Sequence, residues 1–194
     1  MKTLRSPLAL FALPALAAAL APAWFIYDRA AISAGQWWRV ATGHWVHFSA
    51  SHAAWNLLVL LVAGAWLERT RPGVLLRYTV LAAPAIGLGL FALAPTMAIY
   101  GGLSGLAVGI VLLLALTQLA TAPAARAWWL AALTLVVAKL VWESQGGAAL
   151  FSDFGSTAIR PSVAAHVLGA AAALAYHLAS RTPAFLPSPR TFAS

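Results

Sequence analysis

The chain has 194 residues, 62% of them hydrophobic and only 8% charged, with 12 Lys and Arg against 4 Asp and Glu and a formal net charge of +8. A mean hydropathy of +0.85 leaves too few polar residues to clothe a water-soluble domain, so the chain reads as an integral membrane protein. Its basic residues stand singly among apolar stretches, as topology signals and not as a nucleic-acid surface, and the absence of cysteine excludes disulfides, thiolate metal sites and a cysteine nucleophile.

A bilayer-spanning helix needs roughly 20 mostly apolar residues, and six stretches approach that length, at about 8–27, 50–67, 73–94, 102–120, 127–143 and 162–180. Lys2, Arg5 and Ala17-Ala18-Ala19 give the first stretch some likeness to a secretory signal. Its apolar part, from Leu8 to about Tyr27, exceeds the usual core of roughly 7–15 residues, and a retained helix is expected. The loop that follows carries Gln36-Trp37-Trp38-Arg39, His44 and His47, the histidines in interfacial or loop-ordering roles.

The second helix opens with His52 and Asn56, four residues apart and so on one face. The fourth opens at Gly102-Leu103-Ser104-Gly105, where Gly102, Gly105 and Gly109 allow close approach of a neighbour. Gly169 and Ala173 on the sixth offer a matching surface. Lys139 and Glu143 on the fifth have the spacing of a structural ion pair. The sixth carries His166 near its start and His177 near its inner end. No linker is long enough to separate two domains and no internal repeat is visible, so a single domain over 1–194 is expected.

Basic residues orient the bundle. With the N-terminus inside, the inner segments carry Lys2, Arg5, Arg69, Arg71, Arg77, Arg126, Arg181 and Arg190, and the outer ones Arg29, Arg39 and Arg160. Trp24, Trp37, Trp38, Trp45 and Trp142 then fall near the outer interface, and Trp66, Trp128 and Trp129 near the inner one. Ser104, His166 and the His52/Asn56 pair all enter from the outer side to a similar depth. Polar groups in a bilayer are costly, so their convergence points to function.

Peptide hydrolysis needs a nucleophile, a base and donors for an oxyanion; Ser104, His166 and His52 with Asn56 supply them, joined by the Ser104 backbone N–H at a helix start. Asp28, Glu68, Glu143 and Asp153 all lie at helix ends or in loops, so no carboxylate is placed to complete a triad, and a Ser-His dyad is expected. The five histidines include no HExxH motif and have no carboxylate at ligand spacing, so neither a metal nor another cofactor is expected.

These residues, in this order, resemble the rhomboid family of intramembrane serine proteases. The resemblance runs from Trp38-Arg39 through His47-Phe48-Ser49 and His52-Ala53-Ala54-Trp55-Asn56 to Gly102-Leu103-Ser104-Gly105 and Ala165-His166-Val167-Leu168-Gly169. It implies an all-α, six-transmembrane-helix bundle with Ser104 as nucleophile, His166 as base and acid, His52 and Asn56 at the oxyanion, and Glu68 as a structural glutamate. Small size, Gln36-Trp37-Trp38-Arg39 and Lys139-Leu140-Val141-Trp142-Glu143 look most like the bacterial rhombosortase branch. That branch implies trimming of C-terminal GlyGly-type anchors from exported proteins, within a wider class of single-pass or C-terminally anchored substrates. The Lys and Arg asymmetry places both termini inside, so in a bacterial inner membrane the termini are cytoplasmic and the site opens to the periplasm. One departure is Val108, where many rhomboids carry an aromatic that stacks on the catalytic histidine. A catalytically inactive, client-binding rhomboid relative is the alternative; a transporter or channel would call for acidic residues at the midplane, which the helices lack.

Overall fold

The computed structural model describes residues 7–147 and 162–181; Lys2, Arg5, Asp153, Arg160 and Arg190 lie outside them. Six main helices occur among the described residues: α1 (Leu8–Leu20, opening with a π-helical turn), α2 (Ala50–Thr70), α3 (Val74–Leu93), α4 (Ser104–Thr121), α5 (Arg126–Ser144) and α6 (Val163–Ala179). Four spans are long and apolar enough to cross a membrane, those of α2, α3, α4 and Pro123–Ser144, which contains α5. The other two, α1 and α6, are apolar but shorter; the 17 residues of α6 reach about 26 Å. Leu81, Val62, Leu135 and Val137 are exposed on the outside of the bundle, an arrangement suited to lipid.

The first stretch is not one helix to Tyr27. Ala21, placed before Pro22, leaves the helical region (φ −143°, ψ 58°), because proline crowds the residue ahead of it. A short turn, Pro22–Phe25, leads to the strand β1 (Tyr27–Asp28). Further back, Pro14 has no N–H to close onto Leu10, and the Leu10 carbonyl accepts instead from the Trp45 indole at 3.1 Å.

Caps set where the remaining helices begin. Ser49 accepts from the His52 N–H at 3.0 Å and Ser162 from the Ala165 N–H at 3.2 Å, which puts His52 and His166 in the first turns of α2 and α6. Glu68, within the last turns of α2, accepts from Gly73 N–H at 2.7 Å and Leu75 N–H at 3.3 Å and so caps α3. At the other end of α3, the Arg29 guanidinium donates to the carbonyls of Leu90, Phe91, Ala94 and Met97. Arg39 donates to Ile26 and Gln36. Both arginines, counted from sequence as outer-face topology charges, thus tie down the segments in which they stand.

The core gathers Phe11, Tyr27, Leu60, Leu75, Tyr78 and Leu106. Within it α4 is largely enclosed, whereas the only buried residue of α5 is Glu143. A two-residue antiparallel bridge, Tyr27 to Tyr100 and Asp28 to Ile99, joins β1 to β2 (Ile99–Tyr100) just ahead of Ser104.

Candidate active site

Helices α4 and α6 meet backbone to backbone. A β-carbon on Gly105 would fall 2.7 Å from the Ala165 carbonyl oxygen, one on Gly109 2.6 Å from that of Gly169, and one on Gly169 would collide with Gly105. Only hydrogen fits at these three places, as their smallness suggested. Ser104 and His166 are the chain neighbours of Gly105 and Ala165, so the close approach of the two helices sets the backbones of both at one level.

Gly102 has another role than the helix packing expected of it. With φ +124° it lies in the turn before α4, where a β-carbon would stand 2.6 Å from His52 Cε1, 2.7 Å from its Nε2 and 3.7 Å from Asn56 Nδ2. His52 and Asn56 therefore face the backbone that leads into Ser104. They belong to one buried stripe of α2, with Leu60, Ala63 and Leu67 below them. The His52 ring is bracketed by Phe48, parallel at 6.1 Å, and His47, edge-on at 5.0 Å. Asn56 Nδ2 is buried with no hydrogen-bond partner.

Ser104 is the first residue of α4, where backbone N–H groups lack intrahelical partners. Its side chain and the Gly105 backbone both reach the hydroxyl of Tyr100, which itself donates to Gly102 O at 2.7 Å. His166 Nε2 is buried without a hydrogen-bond partner, so it makes no hydrogen bond to Ser104 in this geometry.

The expectation that no carboxylate approaches this cluster is corrected. Glu143 Oε2 lies 2.6 Å from His166 Nδ1, and Glu143 Oε1 lies 2.6 Å from Lys139 Nζ, which is 3.3 Å from the same Nδ1. The ion pair foreseen from spacing is present, but it continues into the histidine. Glu143 closes the last turn of α5 and swings inward across the gap to α6. From sequence a carboxylate at a helix end reads as interfacial, and 23 residues separate it from His166.

The loop histidines order the segment between α1 and α2. His44, fully buried, donates from Nε2 to Ala83 O at 2.8 Å and faces the Tyr100 hydroxyl with Nδ1 at 3.3 Å. His47 Nδ1 meets Trp45 O at 3.1 Å. Burial lowers each to a pKa of about 4, and it pushes the Tyr100 phenol up against the opposing pull of Gly105 and Ser104. His177 is buried three turns along α6, far from His166 in height. Among the described residues no three His, Asp or Glu side chains gather as metal ligands.

No curated protein sequence matches the chain. The family model of the Rhomboid domain matches residues 34–182, a range that takes in α2 to α6 with Ser104, His166, His52, Asn56 and Glu143. A helical membrane protein matched over most of its length in this way belongs to the rhomboid family, whose members are generally intramembrane serine proteases and include inactive ones.

Proposed function

We propose that the protein is an intramembrane serine endopeptidase with Ser104 as nucleophile and His166 as general base. The observation that carries this reading is the abutment of Gly105, which follows Ser104, against Ala165, which precedes His166, with His52 and Asn56 turned to Gly102. Rotation about the Ser104 Cα–Cβ bond exchanges its contact with Tyr100 for one with His166 Nε2; such hydrogen bonds often tighten only when substrate is bound. Oγ then attacks the scissile carbonyl while Nε2 takes the hydroxyl proton.

The carbonyl oxygen gains the negative charge and is met by Asn56 Nδ2, His52 and the Ser104 N–H. Collapse of the tetrahedral adduct breaks the C–N bond, and the leaving amine takes the proton from His166. An acyl-enzyme remains on Ser104, released by water or by an amine acceptor.

In this reading α1 and α6 also span, giving six crossings in one domain with both termini cytoplasmic. The site opens to the periplasmic side of a bacterial inner membrane. Substrates are single-pass or C-terminally anchored proteins, GlyGly-type anchors of the rhombosortase class foremost. Helical backbone is hydrogen-bonded and shielded, so the client must unwind near the outer face, which glycine eases.

A fluorophosphonate probe tests the proposal. Purified wild type should label covalently, and Ser104→Ala and His166→Ala should not, while both remain folded. Asn56→Ala should label, with turnover reduced up to about a hundredfold or more. A folded wild type that fails to label overturns the proposal in favour of an inactive client-binding protein.

A further inference from the structure

Helix α5 is an apolar span with a single buried residue, and that residue is the acid Glu143. Placing an ionised carboxylate in an enclosed membrane-level site is unfavourable unless partners compensate it. Nor does helix stability explain it. A carboxylate in the last turn opposes the helix dipole, and Lys preceding Glu by four is the weaker order for such a pair. Lys139 remains partly exposed, its side chain 26% accessible against 2% for Glu143, so the pair would be satisfied as well at the surface. The inward turn of Glu143 has a different consequence: it brings Oε2 to His166.

The hydrogen-bond inventory at His166 Nδ1 assigns its proton. A carboxylate only accepts and an ammonium only donates. The 2.6 Å contact with Glu143 Oε2 is short and charge-assisted, whereas Lys139 Nζ stands 3.3 Å away and has Glu143 Oε1 at 2.6 Å. Nδ1 therefore carries hydrogen and donates to Glu143, and the Nε2 lone pair is left open. A general base for a serine hydroxyl needs this tautomer.

Resting on the protease reading above, we infer that Glu143, paired with Lys139, is the positioning residue that holds His166 with its proton on Nδ1 and its Nε2 free to take the Ser104 proton. Lys139 offsets the carboxylate charge and keeps Oε1 engaged, so only Oε2 turns to the imidazole. The fifth helix, by its one buried side chain, thereby takes over an orientation that Val108, having no ring to stack, does not supply.

The lysine makes the inference sharply testable. In Glu143→Gln the ammonium requires the amide oxygen, which turns the amide NH2 toward His166. Nδ1 must then accept, the proton moves to Nε2, and the base is blocked. The expected loss is about 10²–10⁴-fold in kcat with KM little changed. Lys139→Met in the same chain frees the amide to present its oxygen to Nδ1 and should restore part of that loss. Glu143→Asp, which keeps an acceptor on a shorter stem, should fall between wild type and Glu143→Gln.

Nitrogen-15 NMR of histidine-labelled protein, with the His166 signals identified by their disappearance in His166→Ala, reads the tautomer without any turnover. Wild type should show the proton on Nδ1 and Glu143→Gln on Nε2. Unchanged tautomer and unchanged probe-labelling rate in a folded Glu143→Gln overturn the inference and leave Ser104 as nucleophile intact. A wild type that shows the Nδ1 proton yet never labels overturns the protease reading instead.

Discussion

His44, in the segment between α1 and α2, is fully enclosed against α3, and its two ring nitrogens face the Ala83 carbonyl and the Tyr100 hydroxyl. Its folded pKa of about 4 lies below the ordinary value of 6.5. Between those values the unfolded chain binds a proton that the folded one does not. His44 therefore contributes stability above about pH 6.5, and that contribution is lost as pH falls toward about 4, by an amount on the order of 3 kcal/mol. His44→Gln retains a donor for Ala83 but cannot be protonated. Its unfolding midpoint in detergent should decline less than that of wild type from pH 6.5 to 4.5; an equal decline would assign the acid sensitivity elsewhere, with His47 the next histidine to test. That Ser104, His166, His52 and Asn56 stand near the starts of their helices was legible in the sequence, because each lies at the head of an apolar run. Glu143 was not, since its partner lies on another helix and nothing local marks which way a terminal carboxylate turns. Arg29 and Arg39 were legible as charges but not as ties to Leu90 and Ile26, carbonyls of distant residues.

At the scale of elements, the decisive contact is the glycine face of α4 against α6. Gly109 has Tyr78 Oη and Gly169 O where a side chain would begin, so Gly109→Val forces the helices apart. Overpacking of this kind costs about 1–3 kcal/mol or more. The unfolding midpoint should drop by several degrees, and probe labelling should weaken with it as Ser104 and His166 separate. Ala120→Val, on an exposed position of the same helix, should do neither; a midpoint for Gly109→Val equal to that control would refute the packing argument. The apolar runs made five of the six helices readable to within a few residues. The first was misjudged, because hydropathy continues through Pro22 while the backbone does not.

For the whole molecule, composition alone excluded a soluble fold, and the order of small, apolar and polar residues carried the helix order. The segment between α1 and α2 was far less readable, being held by side-chain bonds to distant carbonyls and by the bridge between Tyr27 and Tyr100. The proposed orientation has a direct check, because the chain contains no cysteine. Ala34→Cys and Ala124→Cys both fall on exposed positions. A membrane-impermeant maleimide applied to spheroplasts should label the former at once and the latter only after permeabilisation; the reverse pattern would invert the protein in the bilayer.

Biosynthesis adds a time dimension to the α4–α6 contact. Ser104 leaves the ribosome before His166 exists, and at roughly 5–20 residues per second the delay amounts to several seconds. Throughout it the hydroxyl has no imidazole beside it and the glycine face stays uncovered. On the protease reading proposed above, hydrolytic capacity is thus withheld until α6 inserts, and a chain interrupted in that interval carries a serine without its base.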